Sequence, residues 1–253
     1  MKHGALYVEN RDGIAVLYLD RGVINALSPG MVAHLTRTLD ELEEDETVKA
    51  VVLTSSNPKF FSIGLDVPNL IQLSEPGFSE FYHDFNELTM RLYSFPKPLV
   101  AGVTGHAMGG GCILALVCDY RYISSGKRFF GLPEIKLGLP VPYPADTILR
   151  TLVGSLNARE VIDSGEGYSP DDALKLGLVD RILAPKEVLP RSMEKARELA
   201  SHPGKAFWLV KKNRTEETLE AIGRQRAKKE DFFVRAWFSS GVQEELKELV
   251  KKF

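Results

Sequence analysis

Two kinds of apolar spacing alternate through the first half of the chain. Residues 14–19 (IAVLYL), 48–54 (VKAVVLT) and 99–103 (LVAGV) are short, nearly continuous apolar runs, the pattern of strands buried on both faces. Residues 6–9 and 14–19 flank an Asn-Arg-Asp-Gly segment and read as a hairpin. Met31, Leu35, Leu39 and Leu42 recur at helical spacing after Ser28-Pro29, an N-cap followed by a proline at the first helical position. Phe81, Phe85, Leu88 and Leu92 mark one face of a second helix over residues 78–93, stopped by Pro96 and Pro98. Residues 60–66 follow a Pro58-Lys59 loop, and a glycine-rich turn over 105–111 runs into an apolar helix at 112–117. A strand at 119–123 and a segment at 129–134 leading into 135–139 complete this half. Repeated strands joined by helical crossovers imply parallel pairing, hence an α/β fold. From Pro144 onward the pattern is helical apart from residues 177–183. The final stretch, 215–252, is amphipathic and rich in Lys and Arg. It crowds Phe232, Phe233, Trp237 and Phe238, a density expected of core or subunit interface.

Composition narrows the classes. Among 253 residues, 32 Lys and Arg against 34 Asp and Glu leave a net charge of −2, which lacks the basic footprint of a general nucleic-acid binder. The acidic run at 40–46 reads as solvated surface. The two cysteines, Cys112 and Cys118, lie in an apolar run, so neither a disulfide scaffold nor a cysteine zinc site is expected. His3, His34, His83, His106 and His202 are scattered, and no metal is expected. No run reaches the ~18 apolar residues of a membrane span. With no apolar leader at the N-terminus and no Ser-Lys-Leu ending, the expectation is a cytoplasmic protein without membrane partners, the mitochondrial matrix remaining open.

Several catalytic schemes fail on spacing. The chain has no P-loop, no Gly-x-Gly-x-x-Gly fingerprint and no Gly-x-Ser-x-Gly elbow. Two glycine turns and one carboxylate remain. The first turn is Phe61-Ser62-Ile63-Gly64-Leu65-Asp66, where a glycine lets backbone approach a ligand. The second is Gly109-Gly110-Gly111, whose free N–H groups open a helix. Brought together, the two would offer paired N–H donors to a developing oxyanion. The carboxylate is Glu134, beside Pro133 and between apolar residues. In an apolar pocket its pKa would rise and it could carry a proton near neutral pH.

Together these segments resemble the crotonase superfamily, the enoyl-CoA hydratase/isomerase family. The matching pieces, in order, are Ile24-Asn25-Ala26-Leu27-Ser28, residues 60–66, Lys97-Pro98-Leu99-Val100-Ala101, and Gly105-His106-Ala107-Met108-Gly109-Gly110-Gly111-Cys112. They continue with Cys118-Asp119-Tyr120-Arg121, Pro133-Glu134-Ile135-Lys136-Leu137-Gly138 and Gly177-Leu178-Val179-Asp180. The resemblance implies a spiral of ββα units over residues 1–190 and a C-terminal helical trimerisation region over 191–253, in a homotrimer or hexamer. It implies an acyl-CoA thioester as substrate, with coenzyme A entering only as part of it and no separate cofactor. By this resemblance the backbone N–H groups of Leu65 and Gly110 hold the thioester oxygen. Ser62, Ile63, Gly64, Leu65, Asp66, Gly110, Ile113 and Pro133 line the substrate, with Val23 and Asn25 near it. Arg21 and the basic stretch 205–229 are candidates for the CoA phosphates.

One departure from the pattern points to a subtype. Hydratases of this family use two glutamates to handle a water. Here the first position is Ile113, which cannot titrate, and the second, Glu134, is retained. A single acid/base group resembles the Δ3,Δ2-enoyl-CoA isomerases, with Glu134 as the proton carrier. Two alternatives stay open. One is a hydratase or other crotonase reaction with its second acid supplied by Asp66 or Asp146. The other is an acyl-CoA-binding protein without turnover. Asp119, on a strand, is expected to be structural and paired.

Overall fold

The computed structural model describes residues 5–251. His3 and the last two residues of the chain lie outside them. The chain opens with the hairpin, β1 (Leu6–Arg11) and β2 (Ile14–Leu19). Strand β1 runs two residues further than the sequence suggests, because Asp12 and Gly13 both take positive φ, 54° and 80°, and close a two-residue turn. Helix α1 (Pro29–Glu44) follows, its first turn capped by Ser28, whose hydroxyl accepts the Met31 N–H. Then come β3 (Ala50–Ser55), β4 (Phe60–Ser62), the short α2 (Val67–Leu70) and α3 (Glu75–Ser94). Next are β5 (Leu99–Val103), β6 (His106–Met108), α4 (Gly110–Leu116), β7 (Tyr120–Ser124) and β8 (Phe130–Gly131). The chain ends with α5 (Tyr143–Ser164), α6 (Pro170–Lys175), β9 (Arg181–Leu183), α7 (Val188–Ala200), α8 (Gly204–Trp237) and α9 (Ser240–Val250).

These strands form two sheets. The larger has the order β1-β2-β3-β5-β7-β9, antiparallel only at the β1–β2 hairpin. Its central strands are buried on both faces, as their continuous apolar runs require. Helices α1, α3 and α4 pack on one side. On the other, α7 sets Met193, Ala196 and Leu199 against Val16, Val52 and Val100. The smaller sheet, β4-β6-β8, is parallel, and its strands end at the two glycine turns and at the segment bearing Glu134. This is the expected α/β architecture, with a helical C-terminal region.

Three elements differ from the sequence reading. The glycine-rich turn contains a strand, β6, because His106 and Met108 face outward while Ala107 is buried between β4 and β8. Helix α4 begins at Gly110, inside the glycine triplet, rather than at residue 112. The long C-terminal helix starts at Gly204 and breaks at Phe238-Ser239, where Ser239 turns extended before α9. The break folds α9 back toward α2 and the Glu134 segment. Both cysteines are buried free thiols, and burial pushes Cys118 up to about 12. Among the described residues no helix is long and apolar enough to cross a membrane.

Candidate active site

The site begins with the contact between the two glycine turns. Gly64 sits at φ 95°, and a Cβ there would lie 2.8 Å from the Met108 carbonyl oxygen and 2.9 Å from the Gly110 nitrogen. Only glycine fits both the angle and the gap. Gly111 presses on the same turn, since its missing Cβ would fall 2.2 Å from the Ser62 carbonyl oxygen. Leu65 forms a parallel bridge to Leu27 through its neighbours. The Leu27 N–H donates to the Gly64 carbonyl at 2.8 Å, and the Asp66 N–H donates to the Leu27 carbonyl at 3.0 Å. The Leu65 N–H therefore points to the opposite side, as strand alternation demands. Leu65 and Gly110 both line one cavity of about 390 Å³.

Glu134 lines the same cavity. It opens a 3-10 turn, Glu134–Leu137, which Gly138 ends at φ 72°. The missing Cβ of Gly109 would lie 3.4 Å from Glu134 Oε1, so the carboxyl abuts the backbone of the second glycine turn. Glu134 as a whole is half-buried, yet its Oε2 is buried with no hydrogen-bond partner among the described residues. Loss of water around the carboxylate pushes its pKa up from 4.5 to about 7. Ile113, fully buried, supplies an apolar wall beside it.

The remaining walls come largely from the C-terminal helices. Phe233, Trp237 and Leu249 line the cavity with Phe85 and Leu137. Phe233 stacks on Tyr82 at 4.1 Å and Trp237 on Phe78 at 4.2 Å, so these rings are core and cavity wall at once. Phe232, by contrast, is exposed. Sequence reasoning placed this aromatic cluster in core or interface and missed its role as a wall. It also missed Glu245 and Glu248, exposed acids of α9 that line the cavity. Their spacing with Leu249 on one helical face was the available signal.

The other sequence candidates divide between the cavity and its surroundings. Ile63 and Pro133 line the cavity. Ser62 is buried and holds the turn, donating to the Asn25 carbonyl at 2.8 Å and accepting the Gly64 N–H at 3.2 Å. Asp66 does not face the cavity but pairs with Arg21 at 2.7 Å. Asp146 pairs with Arg150 at 2.7 Å. Arg21 is thus engaged by a carboxylate, as are several cations of the basic stretch. Lys211 and Arg214 pair with Asp119, and Arg226 pairs with Glu87 and Glu230. Asp119 is buried and also accepts the Leu99 N–H at 2.9 Å, the structural pairing expected of it.

Residues 9–252 match the family model described as enoyl-CoA hydratase/isomerase. The mitochondrial enoyl-CoA delta isomerase 1 of Mus musculus is 30% identical over 219 residues, covering 86% of this chain and 76% of that protein. The short-chain-enoyl-CoA hydratase of Clostridium acetobutylicum is 32% identical over 212 residues, covering 83% and 81%. The crystal structure of human mitochondrial delta3-delta2-enoyl-CoA isomerase superposes with a TM-score of 0.95 at 28% identity, covering 98% of each chain.

Proposed function

Because the chain belongs to the enoyl-CoA hydratase/isomerase family, with an acyl-CoA thioester as its class of substrate, we propose that it is an enoyl-CoA isomerase. In this reading Glu134 removes a proton from C2 of a 3-enoyl-CoA. The negative charge of the resulting dienolate collects on the thioester oxygen. There the N–H groups of Leu65 and Gly110 stabilise it, each such donor being worth about 10²–10³ in rate. Glu134 then returns the proton to C4, giving the 2-enoyl-CoA.

The observation that carries the reading is one carboxyl, poised near neutrality, set against an isoleucine where a second acid would hold a water. A base with a pKa of about 7 is half ionised at physiological pH and can both take and return a proton. The apolar walls of Ile113, Phe233 and Trp237 disfavour a reactive water. The likeness to the human isomerase structure supports the same choice.

A second reading rests on Glu245 and Glu248. Either acid, if brought inward, would give the pair that hydration needs, and the likeness to the Clostridium hydratase supports it. Glu248 pairs with Lys251, while Asp66 and Asp146 pair with arginines and are not among the residues that line the cavity. One assay separates the readings, with a 3-enoyl-CoA and a 2-enoyl-CoA supplied in parallel. The isomerase reading expects double-bond migration from the first and no steady 3-hydroxyacyl-CoA from the second. Steady hydration of the 2-enoyl-CoA overturns it.

A further inference from the structure

Asp66 stands at the N-cap of α2, where an aspartate ordinarily accepts an N–H of the helix's first turn. Here it makes no side-chain cap bond. Its carboxylate instead reaches a guanidinium 45 residues away in sequence, Arg21 Nη2, at 2.7 Å. The local preference is given up for a long-range one. Such exceptions concentrate where function constrains the chain.

Arg21 makes the connection rigid. Its other terminal nitrogen, Nη1, donates to the Ala26 carbonyl at 2.7 Å, and its backbone N–H donates to Asn25 Oδ1 at 2.7 Å. Asn25 is buried at a positive φ of 49° and donates onward to Ser55 Oγ at 2.8 Å and to the Phe61 carbonyl at 3.0 Å. The guanidinium fork thus ties the loop ahead of α1 to the far side of the first glycine turn, at Asp66, and Asn25 ties the same loop to the near side, at Phe61. Leu65 lies between two fixed points. On one side Gly64 is held by Leu27 and by Ser62. On the other, Asp66 is held by Leu27 through its N–H and by Arg21 through its side chain.

We propose that Arg21 and Asp66 form a positioning pair that sets the direction of the Leu65 N–H toward the thioester oxygen. The inference rests on the oxyanion role of Leu65 in the isomerase reading, and it changes the part played by both residues. Arg21 is withdrawn from the candidates for a CoA phosphate, and Asp66 from those for a second acid. Neither touches the reacting atoms. A lysine cannot replace Arg21, because one ammonium lacks the planar fork that bonds Ala26 and Asp66 together.

The test compares R21Q, R21K, D66N and the double variant R21Q/D66N with the wild-type chain. Each is assayed on an enoyl-CoA and on the matching pantetheine thioester, which lacks the nucleotide phosphates. A misplaced donor costs up to about 10²-fold in rate. We expect kcat to fall about ten- to a hundredfold in all three single variants, equally on both thioesters, with KM within about threefold. The double variant should fall no further than the singles, because the two residues act as one unit. A defect confined to KM, and to the CoA ester alone, overturns the proposal and restores Arg21 as a phosphate ligand. A loss of thermal stability with unchanged kcat overturns it in favour of a purely structural pair.

A readout without turnover separates this proposal from the isomerase assignment. The carbonyl stretch of bound butyryl-CoA, measured by infrared difference, shifts to lower frequency when hydrogen-bond donors polarise it. That shift should shrink in R21Q and D66N whichever reaction the wild type performs. An undiminished shift in both variants overturns the positioning role.

Discussion

Two acids with buried carboxyl oxygens stand in opposite situations. Asp119 has every neighbour a carboxylate could want: the Lys211 ammonium at 2.9 Å, the Arg214 guanidinium and the Leu99 N–H. Glu134 keeps an oxygen buried without a partner among the described residues, against glycine backbone and apolar walls. Removing water from a charge is costly in both places. In the first the cost is offset by partners and the result is a fixed joint between α8 and the starts of β5 and β7. In the second it is left standing, and the result is a carboxyl with a proton to exchange. Burial alone therefore says little about an acid's role. What separates the two is whether the chain supplies a counter-charge.

The sharpest way to break the comparison is to change each acid in turn. In E134Q we expect turnover to fall by at least about 10³-fold, within the range general acid–base groups supply, while acyl-CoA still binds. Steady-state kinetics with calorimetric binding would show it, and near-normal turnover would falsify the assignment. In D119N the effect should move to the fold. Leaving Lys211 buried without its carboxylate costs about 3–5 kcal/mol of stability. Denaturant unfolding measures this loss, and the folded fraction should keep its rate on short-chain substrates. A stable D119N with a crippled rate would reverse the roles of the two acids.

A smaller effect follows from pH. The folded pKa of Glu134, about 7, lies above the ordinary 4.5, so the folded state holds the proton more tightly than the unfolded chain. Its contribution to stability is complete below pH 4.5 and is lost as pH rises through 7. The loss is on the order of 3–4 kcal/mol, from ~1.4 kcal/mol for each pH unit that separates the two values. E134Q should match the wild type near pH 4.5 and exceed its stability above pH 8, as thermal unfolding at the two pH values will show. The activity should run the other way, with kcat/KM rising through about pH 7 as the base ionises. The chemistry turns on as the folded carboxyl ionises near pH 7, the point at which the loss of stability levels off.

Much of this was legible in the chain. The apolar runs marked the strands of the larger sheet, because burial on both faces leaves an unbroken signature. Glu134 and the glycine turns were legible as motifs, and Ile113 as a departure from one. The three-residue strand β6 was not, being too short for any period and masked by glycines. Nor was the Arg21–Asp66 pair. Opposite charges 45 residues apart carry no local signal, and Asp66 taken alone reads as a helix cap. The cavity walls on α8 and α9 were hidden for a related reason. Phe233 and Trp237 have a core residue's pattern, and only the break after Trp237 brings α9 over the site.

Helix α8 joins the two regions mechanically. It is one rod of 34 residues, fixed near its start by Lys211 and Arg214 on Asp119 and carrying Trp237 at its far end. At 1.5 Å per residue, about 39 Å separate the pivot at Lys211 from the wall at Trp237. The rod is held again on the way, by Arg226 on Glu87 and by the buried Ile222, so the wall of the cavity is carried by residues that never meet the substrate.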